Sequence, residues 1–308
     1  MGLIVTLIIT LEVNRFFLGM GTWITFSIST DEKCSKERAN SLITLAYREI
    51  KRIENSYSRW VSSSITEEIN KNAGIKSVTV PEEFLNLLSK MGEIYKKTNG
   101  TFDITICPLI KLWNVKERKI PPSESEIKSL LPLVGYDKIL INGNRVFLPQ
   151  KGMCIDLDGM LKGYAVDRAS EIILNGGCSS FLVKIGGSMN VKNKRVSIKI
   201  PPPRKKSKEL KIEIEEGAVA TSGDYTRFFT YKGKRYHDLI DPENGYPSEG
   251  CASATVISES GMISDALSTA LAIRGEKGFE FLYKLGGEGL CIQEDGEIHR
   301  TKFFPDLH

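Results

Sequence analysis

Long helical patterns fall at irregular intervals along this chain, separated by short runs of alternating apolar residues. That order constrains the fold more than any other feature. Regular strand–helix alternation would build a parallel sheet, whereas grouped short strands pair antiparallel. Helical periodicity is read within 31–56, with Ala39, Leu42, Leu45, Ala46 and Ile50 on one face. It recurs in 80–100, with Pro81 near its start and Asn99-Gly100 at its end. A short helix is entered through Ser64 or Thr66, another follows the loop at 156 and runs to Leu174, and SGMISDALSTALAIRG is apolar around most of its circumference. Strands are expected in MGTWITFSIST, FLVKIGGSMNV, VSIKIPPP and SATVIS, and in ELKIEIEEGAVATSG before a turn. Hairpins are expected around Asn142-Gly143, in FFTYKGKRYHDLIDP and in EGLCIQEDGEIHRT, and TFDITICPLIKLWN reads as beginning extended. The expectation is an α+β fold of mostly antiparallel sheets and packed helices.

The 308 residues suit about two domains or one large two-lobed unit. A net charge of +4 is too small, and its basic run Arg204-Lys205-Lys206-Ser207-Lys208 too local, for a nucleic-acid-binding surface. The run follows three prolines and reads as a solvated loop. Six cysteines at wide, irregular spacing, with no CxxC pair, argue against structural zinc. Several stand in apolar strings, so they are expected to be small buried side chains rather than disulfides, in a reducing compartment. The apolar N-terminal run ends at Leu11, too short to span a bilayer. It lacks a basic n-region and a cleavage site, so a strand is expected there, with a remnant membrane anchor as the alternative. A cytoplasmic location is preferred to an extracytoplasmic one.

Five segments carry chemistry. In MISDALSTALAI, Asp265 and Thr269 are four apart and share a helix face. Either Ser264 or Asp265 caps the helix, or Asp265 and Thr269 supply oxygen to a hard cation. In HDLIDPENGYP, turn-forming residues gather His237, Asp238 and Asp241 at a hairpin mouth, where one could act as a general base. Asp103 interrupts an apolar run; it caps the next turn or accepts from N–H groups of a flat heterocycle. Thr221-Ser222-Gly223 reads as a turn with small hydroxyls and N–H groups for an anion. Finally, IDLDGMLKGYAVD places Asp156, Gly159, Lys162 and Gly163 where a loop enters a helix. Glycine permits close backbone approach, and a lysine near free N–H groups offsets phosphate charge.

Taken in order, MGT at 20–22, YSRWVSSSITEEIN, TNGTFDITICPLIKLW, IDLDGMLKGYAVD, VATSGDY, YHDLIDPENGYP and SDALSTAL resemble the ApbE family of FAD:protein FMN transferases, from about Leu18 to Gly275. The resemblance implies a two-lobed, T-fold-related catalytic domain over 18–308, with 1–17 as an extension. It implies transfer of FMN from FAD to a threonine or serine hydroxyl of an acceptor flavoprotein, with AMP leaving and Mg2+ required; a membrane-associated acceptor is compatible with it. By motif position, Asp265, Thr269, Ser268 and the backbone oxygen of Gly159 correspond to metal ligands. Met20, Trp60, Thr101, Phe102, Asp103, Asp156, Lys162 and Ile240 correspond to FAD contacts, with Trp60 suited to ring stacking.

The chain departs from the family pattern in two places. DLGGIAKG reads DLDGMLKG here, with Asp158 for glycine and Leu161 for alanine. HIIDP-x-TG reads DLIDPENG, so Asp238 takes the usual histidine position, His237 stands one residue earlier and Asn244 replaces threonine. Asp238 or His237 is then the base. A magnesium-dependent FAD pyrophosphatase and a non-catalytic FAD-binding protein are the alternative readings.

Overall fold

The computed structural model describes residues 11–204 and 209–308. Strands β1 (Glu12–Gly19) and β2 (Thr22–Ser29) form a hairpin closed by Met20-Gly21, both with positive φ (51° and 70°). Two-residue hairpins need this geometry because it matches strand twist. Residues 1–10 of the expected N-terminal strand lie outside the described residues, and β1 begins within the segment expected as an extension.

Helix α1 (Lys36–Tyr57) is capped by Ser35 and buries Ala39, Leu42, Ile43, Ala46, Ile50, Ile53 and Tyr57. Leu45, expected on that face, lies off the stripe and is exposed. Helix α2 (Ile65–Lys71) starts at Ser64, one of the two residues proposed for it. Strand β3 (Val78–Thr79) precedes α3 (Glu82–Lys97), which follows Pro81. The run expected to begin extended after Thr101 is instead a 3-10 turn, Ile104–Ile106, continuing into α4 (Cys107–Trp113). Asp103 caps that turn, and Pro108 sits in the first turn of α4, where its missing N–H costs nothing. Those two local signals outweigh the β-branched content. Helix α5 (Glu124–Leu130) has a Ser123/Glu126 capping box, and β4 (Leu140–Asn142) with β5 (Arg145–Phe147) form the expected hairpin.

Helix α6 (Asp158–Asn175) leads to β6 (Phe181–Ile185) and β7 (Ser188–Lys192). Strands β8 (Val196–Ile200) and β9 (Leu210–Ile214) form a two-stranded sheet among the described residues, and β10 (Gly217–Gly223) follows. Thr221-Ser222-Gly223, expected as a turn, ends β10 and pairs with 253–255. Strands β11 (Phe228–Tyr231) and β12 (Lys234–His237) form a hairpin before β13 (Ser253–Ser258). Helices α7 (Gly261–Arg274) and α8 (Phe279–Leu285), then β14 (Gly287–Ile292) and β15 (Ile298–Arg300), complete the chain. The large sheet runs β1-β2-β6-β7-β10-β13-β14-β15, antiparallel at every step.

Strand alternation assigns each face its own core. Val183, Ile185, Ala254 and Val256 join helices α1, α6 and α7 in one cluster. Val191, Val219, Leu290 and Ile292 pack with the β8–β9 hairpin and Phe304 in another. A third, smaller core joins α4, α5 and the β11–β12 hairpin through Leu109, Trp113, Ile127, Phe229 and Ile240. No described helix is long and apolar enough to cross a membrane.

The cysteines are buried as expected, but they are not free thiols. Cys34–Cys178, Cys107–Cys154 and Cys251–Cys291 are disulfides, with Cα atoms 5.0, 5.4 and 5.6 Å apart. Spacing along the chain hid the pairing because partners are 144, 47 and 40 residues apart and meet only in the folded chain.

Candidate functional site

One end of the large sheet gathers the β1–β2 turn at Met20-Gly21, the β6–β7 turn at Gly186-Gly187, the end of β10 and the start of β13. The turns are tightly seated. A Cβ on Gly187 would lie 2.9 Å from the Thr221 carbonyl oxygen, and one on Gly186 3.1 Å from Thr22. Met20 donates its N–H to Glu54 of α1 (2.7 Å).

Helix α7 crosses this end beside the start of α6. The helices approach so closely that a Cβ on Gly163 would lie 2.0 Å from the Gly261 carbonyl oxygen, so residue 163 must lack a side chain. Ser260 caps α7 rather than the expected Ser264 or Asp265, and Asp167 of α6 supports it by accepting from Gly261 N–H (2.6 Å) and Met262 N–H (3.0 Å). Asp265 is freed from that role and lies buried inside the second turn. Its Oδ2 accepts from Gly163 N–H (3.0 Å), with Lys162 Nζ 3.9 Å away. Burial pushes the Asp265 carboxyl up, opposed by Lys162, the Gly163 N–H and the neighbouring Ser188 hydroxyl.

Ser268 and Thr269 donate their hydroxyls to the Asp265 carbonyl (2.9 and 3.2 Å), and Ser222 Oγ lies 2.8 and 3.3 Å from those same hydroxyls. Gly159 faces them: a Cβ there would sit 3.7 Å from Thr269 Oγ1 and 3.1 Å from Phe102. Among the described residues no three His, Cys, Asp or Glu side chains group as metal ligands. A buried carboxylate on a helix that also presents two hydroxyls toward a helix-start glycine offers oxygen donors. Such donors fit a hard cation that keeps much of its water, and they do not fit zinc.

The other expected residues flank this centre. Asp156 is buried, pairs with Arg59 Nε (2.5 Å) and accepts from Asp158 N–H (3.0 Å). Burial, reinforced by Asp158 and opposed by Arg59, pushes its carboxyl up to about 6. Lys162 Nζ also donates to the Asp158 carbonyl (3.0 Å). Trp60 is 62% exposed, donates its indole N–H to Asp158 (2.6 Å) and carries the Arg59 guanidinium 3.9 Å from its ring centroid. Asp103 caps the 3-10 turn. Its oxygens accept from Thr105 N–H (2.7 Å), Thr105 Oγ1 (2.6 Å) and Tyr136 N–H (3.2 Å). Thr101 is buried, and its hydroxyl accepts from Arg274 Nε (3.0 Å).

His237 and Asp238 end the β11–β12 hairpin. His237 is buried with both ring nitrogens engaged: Nδ1 accepts from Leu239 N–H (3.3 Å) and Nε2 donates to the Ser248 carbonyl (3.1 Å). Burial lowers its pKa and favours that neutral form. Asp238 has Arg227 at 3.4 Å and is pushed up by burial. Among the described residues neither bonds to Asp265, Thr269 or Gly159. Ile240 is buried and bridges to Pro247 across the turn at 241–246, which Trp113 Nε1 ties down at the Gly245 carbonyl (2.8 Å).

Of the residues expected at the site, the structure brings Gly159, Lys162, Asp265, Ser268 and Thr269 together. The sequence alone did not point to Arg59, Ser188 or Arg274, and Ser222 was expected in a turn. Arg59 had a local signal, its place beside Trp60. Ser188 and Arg274 had none, because Asp265 and Thr101 lie far from them in the chain.

A model of the ApbE family matches residues 20–290. The FAD:protein FMN transferase of Vibrio cholerae is 27% identical over 290 residues, covering 91% of this chain and 83% of that protein. The Escherichia coli K12 protein of the same name is 27% identical over 266 residues, covering 81% and 76%. Among solved structures, the ApbE protein of Thermotoga maritima superposes with a TM-score of 0.84 at 30% identity, over 95% of this chain and 97% of that one. The flavin transferase ApbE of Vibrio cholerae superposes at 0.83 with 24% identity, over 95% and 98%, a likeness of fold.

Proposed function

The chain belongs to the ApbE family, and on that premise we propose that it transfers FMN from FAD to a threonine or serine hydroxyl of an acceptor flavoprotein. The hydroxyl oxygen forms a bond to the FMN-side phosphorus, the bond between the two phosphates breaks, AMP leaves, and the hydroxyl proton passes to a base. Asp265 carries the reading: a buried carboxylate, held by Gly163 N–H and Lys162, on a helix that also presents Ser268 and, beside Gly159, Thr269. These oxygens would hold Mg2+, which would neutralise phosphate charge and stabilise the leaving group. Lys162 adds positive charge beside the same carboxylate. Trp60 offers an exposed aromatic ring to the nucleotide, Met20, Thr101, Phe102, Asp103 and Ile240 border its path, and Asp156 holds Arg59 against Trp60.

Asp238 is the better base. His237 has no free ring nitrogen, whereas the Asp238 carboxylate is partly exposed and its pKa is raised by burial. The three buried disulfides favour a compartment where such bonds persist, against the reducing one expected from cysteine spacing. A membrane-associated acceptor is compatible with such a location.

The test is AMP release from FAD, with and without Mg2+, beside a threonine-containing acceptor. Magnesium-dependent AMP matched by acid-stable flavin on the acceptor supports transfer. AMP with free FMN would indicate hydrolysis, and bound FAD without AMP would indicate a binding protein. Asp265→Ala should keep the fold and lose turnover; retained turnover would overturn the metal assignment.

A further inference from the structure

Arg274 is the last residue of α7, the helix that carries Asp265, Ser268 and Thr269. Its guanidinium reaches two other segments. Nε donates to Thr101 Oγ1 (3.0 Å), and Nη1 donates to Glu243 Oε2 (3.0 Å) and lies 3.7 Å from Asp241 Oδ2. One planar group therefore joins three pieces of chain: the 101–103 segment, the 241–246 turn and the helix of the oxygen cluster. A forked guanidinium can hold several acceptors in fixed relation, which a lysine ammonium does not do.

The partners differ in burial, and this bears on the role. Thr101 is fully buried and Asp241 largely so, whereas Glu243 is exposed. The exposed pair adds little by itself, so the bond to the buried hydroxyl is the one that fixes position. Thr101 directly precedes Phe102, which packs against Gly159, and Asp241 directly follows Ile240. On the far side the same turn is held by Trp113 at Gly245. The turn is thus held from both sides, by an indole in the small core and by a guanidinium from the large one.

We propose that Arg274 is a positioning residue for the nucleotide substrate: it sets the spacing between the Thr101–Asp103 segment and the Ile240–Asp241 turn, so that a dinucleotide enters a cleft of fixed width. The inference rests on the flavin-transfer reading, because it takes both segments as walls of the nucleotide site. The competing role is local. An arginine in the last turn of a helix also stabilises the helix dipole, and that role would change stability without changing substrate affinity.

The experiment uses the full chain and three variants, Arg274→Lys, Arg274→Ala and Thr101→Val. FAD affinity is read by flavin fluorescence, KM and kcat by AMP release with acceptor, and folding by thermal unfolding. Arg274→Ala should raise the Kd and KM for FAD by about tenfold, the scale of a lost charge-assisted hydrogen bond, with kcat within about threefold of the parent. Arg274→Lys should recover only part. Thr101→Val should give a similar rise, and the double variant with Arg274→Ala should add little to either, as expected of partners in one contact. Unchanged FAD affinity in folded Arg274→Ala, or a loss confined to kcat, or additive effects, would overturn the proposal. Should Arg274→Ala fail to fold, Arg274→Lys decides by the same affinity criterion. A parent protein that binds FAD without releasing AMP would refute the transfer reading, while the variants' affinities would still judge Arg274. No FAD binding by the parent would refute both.

Discussion

Removing the Cys34–Cys178 bond should destabilise the chain more than removing either other disulfide. Cys34 lies just before α1 and Cys178 just after α6, so the bond ties the start of one packed helix to the end of another. It closes the longest loop, its partners 144 positions apart in the chain against 47 and 40. Loop-closure entropy then gives about 5 kcal/mol for this bond and about 4 kcal/mol for each of the others. At an unfolding entropy of about 2 cal/mol/K per residue, a chain of this length changes stability by about 0.65 kcal/mol per degree near its midpoint. The double variant Cys34→Ala/Cys178→Ala should therefore melt about 8 °C below the parent. The assay is thermal unfolding without reductant, paired with alkylation of the denatured, unreduced protein to count thiols. No free thiols are expected in the parent. Equal midpoints for parent and variant, or six alkylated thiols, would refute the reasoning.

Asp238→Asn should lower kcat by about a hundredfold or more, the scale of general-base catalysis, while His237→Gln should stay within about tenfold of the parent; the steady-state rates of AMP release decide between them. His237 also predicts an acid limb in stability. Its folded pKa is depressed by burial, so its contribution is complete above the unfolded value of about 6.5 and is lost as pH falls through the folded value. Denaturant titrations from pH 8 down to pH 5 should show that loss in the parent and a smaller one in His237→Gln. Trp60→Ala should leave the melting midpoint within about 1 °C, because the ring is largely exposed, yet weaken FAD two- to tenfold by fluorescence titration, about the worth of one aromatic stacking contact.

Much of the site was legible because its chemistry is local. Asp265 and Thr269 are one helical turn apart, and any amphipathic reading places them together. Met20-Gly21, expected as the start of a strand, instead closes the β1–β2 hairpin with both residues at positive φ. Local signals failed where they competed. The run after Thr101 has β-branched residues that suggest a strand, but a capping aspartate and a first-turn proline make it helical. Asp265 resembled a cap because the true cap, Ser260, draws support from Asp167, 93 residues away.

By itself the sequence determined the α+β class, the long helices and most of their buried faces, the family, and the residues whose roles depend on neighbours within a turn or two. Only the tertiary structure decided which cysteines pair, that both His237 nitrogens are occupied, that Ser222 joins the oxygen cluster, and that Arg274 reaches Thr101. Each depends on a contact between segments distant in the chain, such as the 173 residues between Arg274 and Thr101. Periodicity and capping act over a few residues, whereas these contacts exist only once sheet order and helix packing bring remote segments within bonding distance.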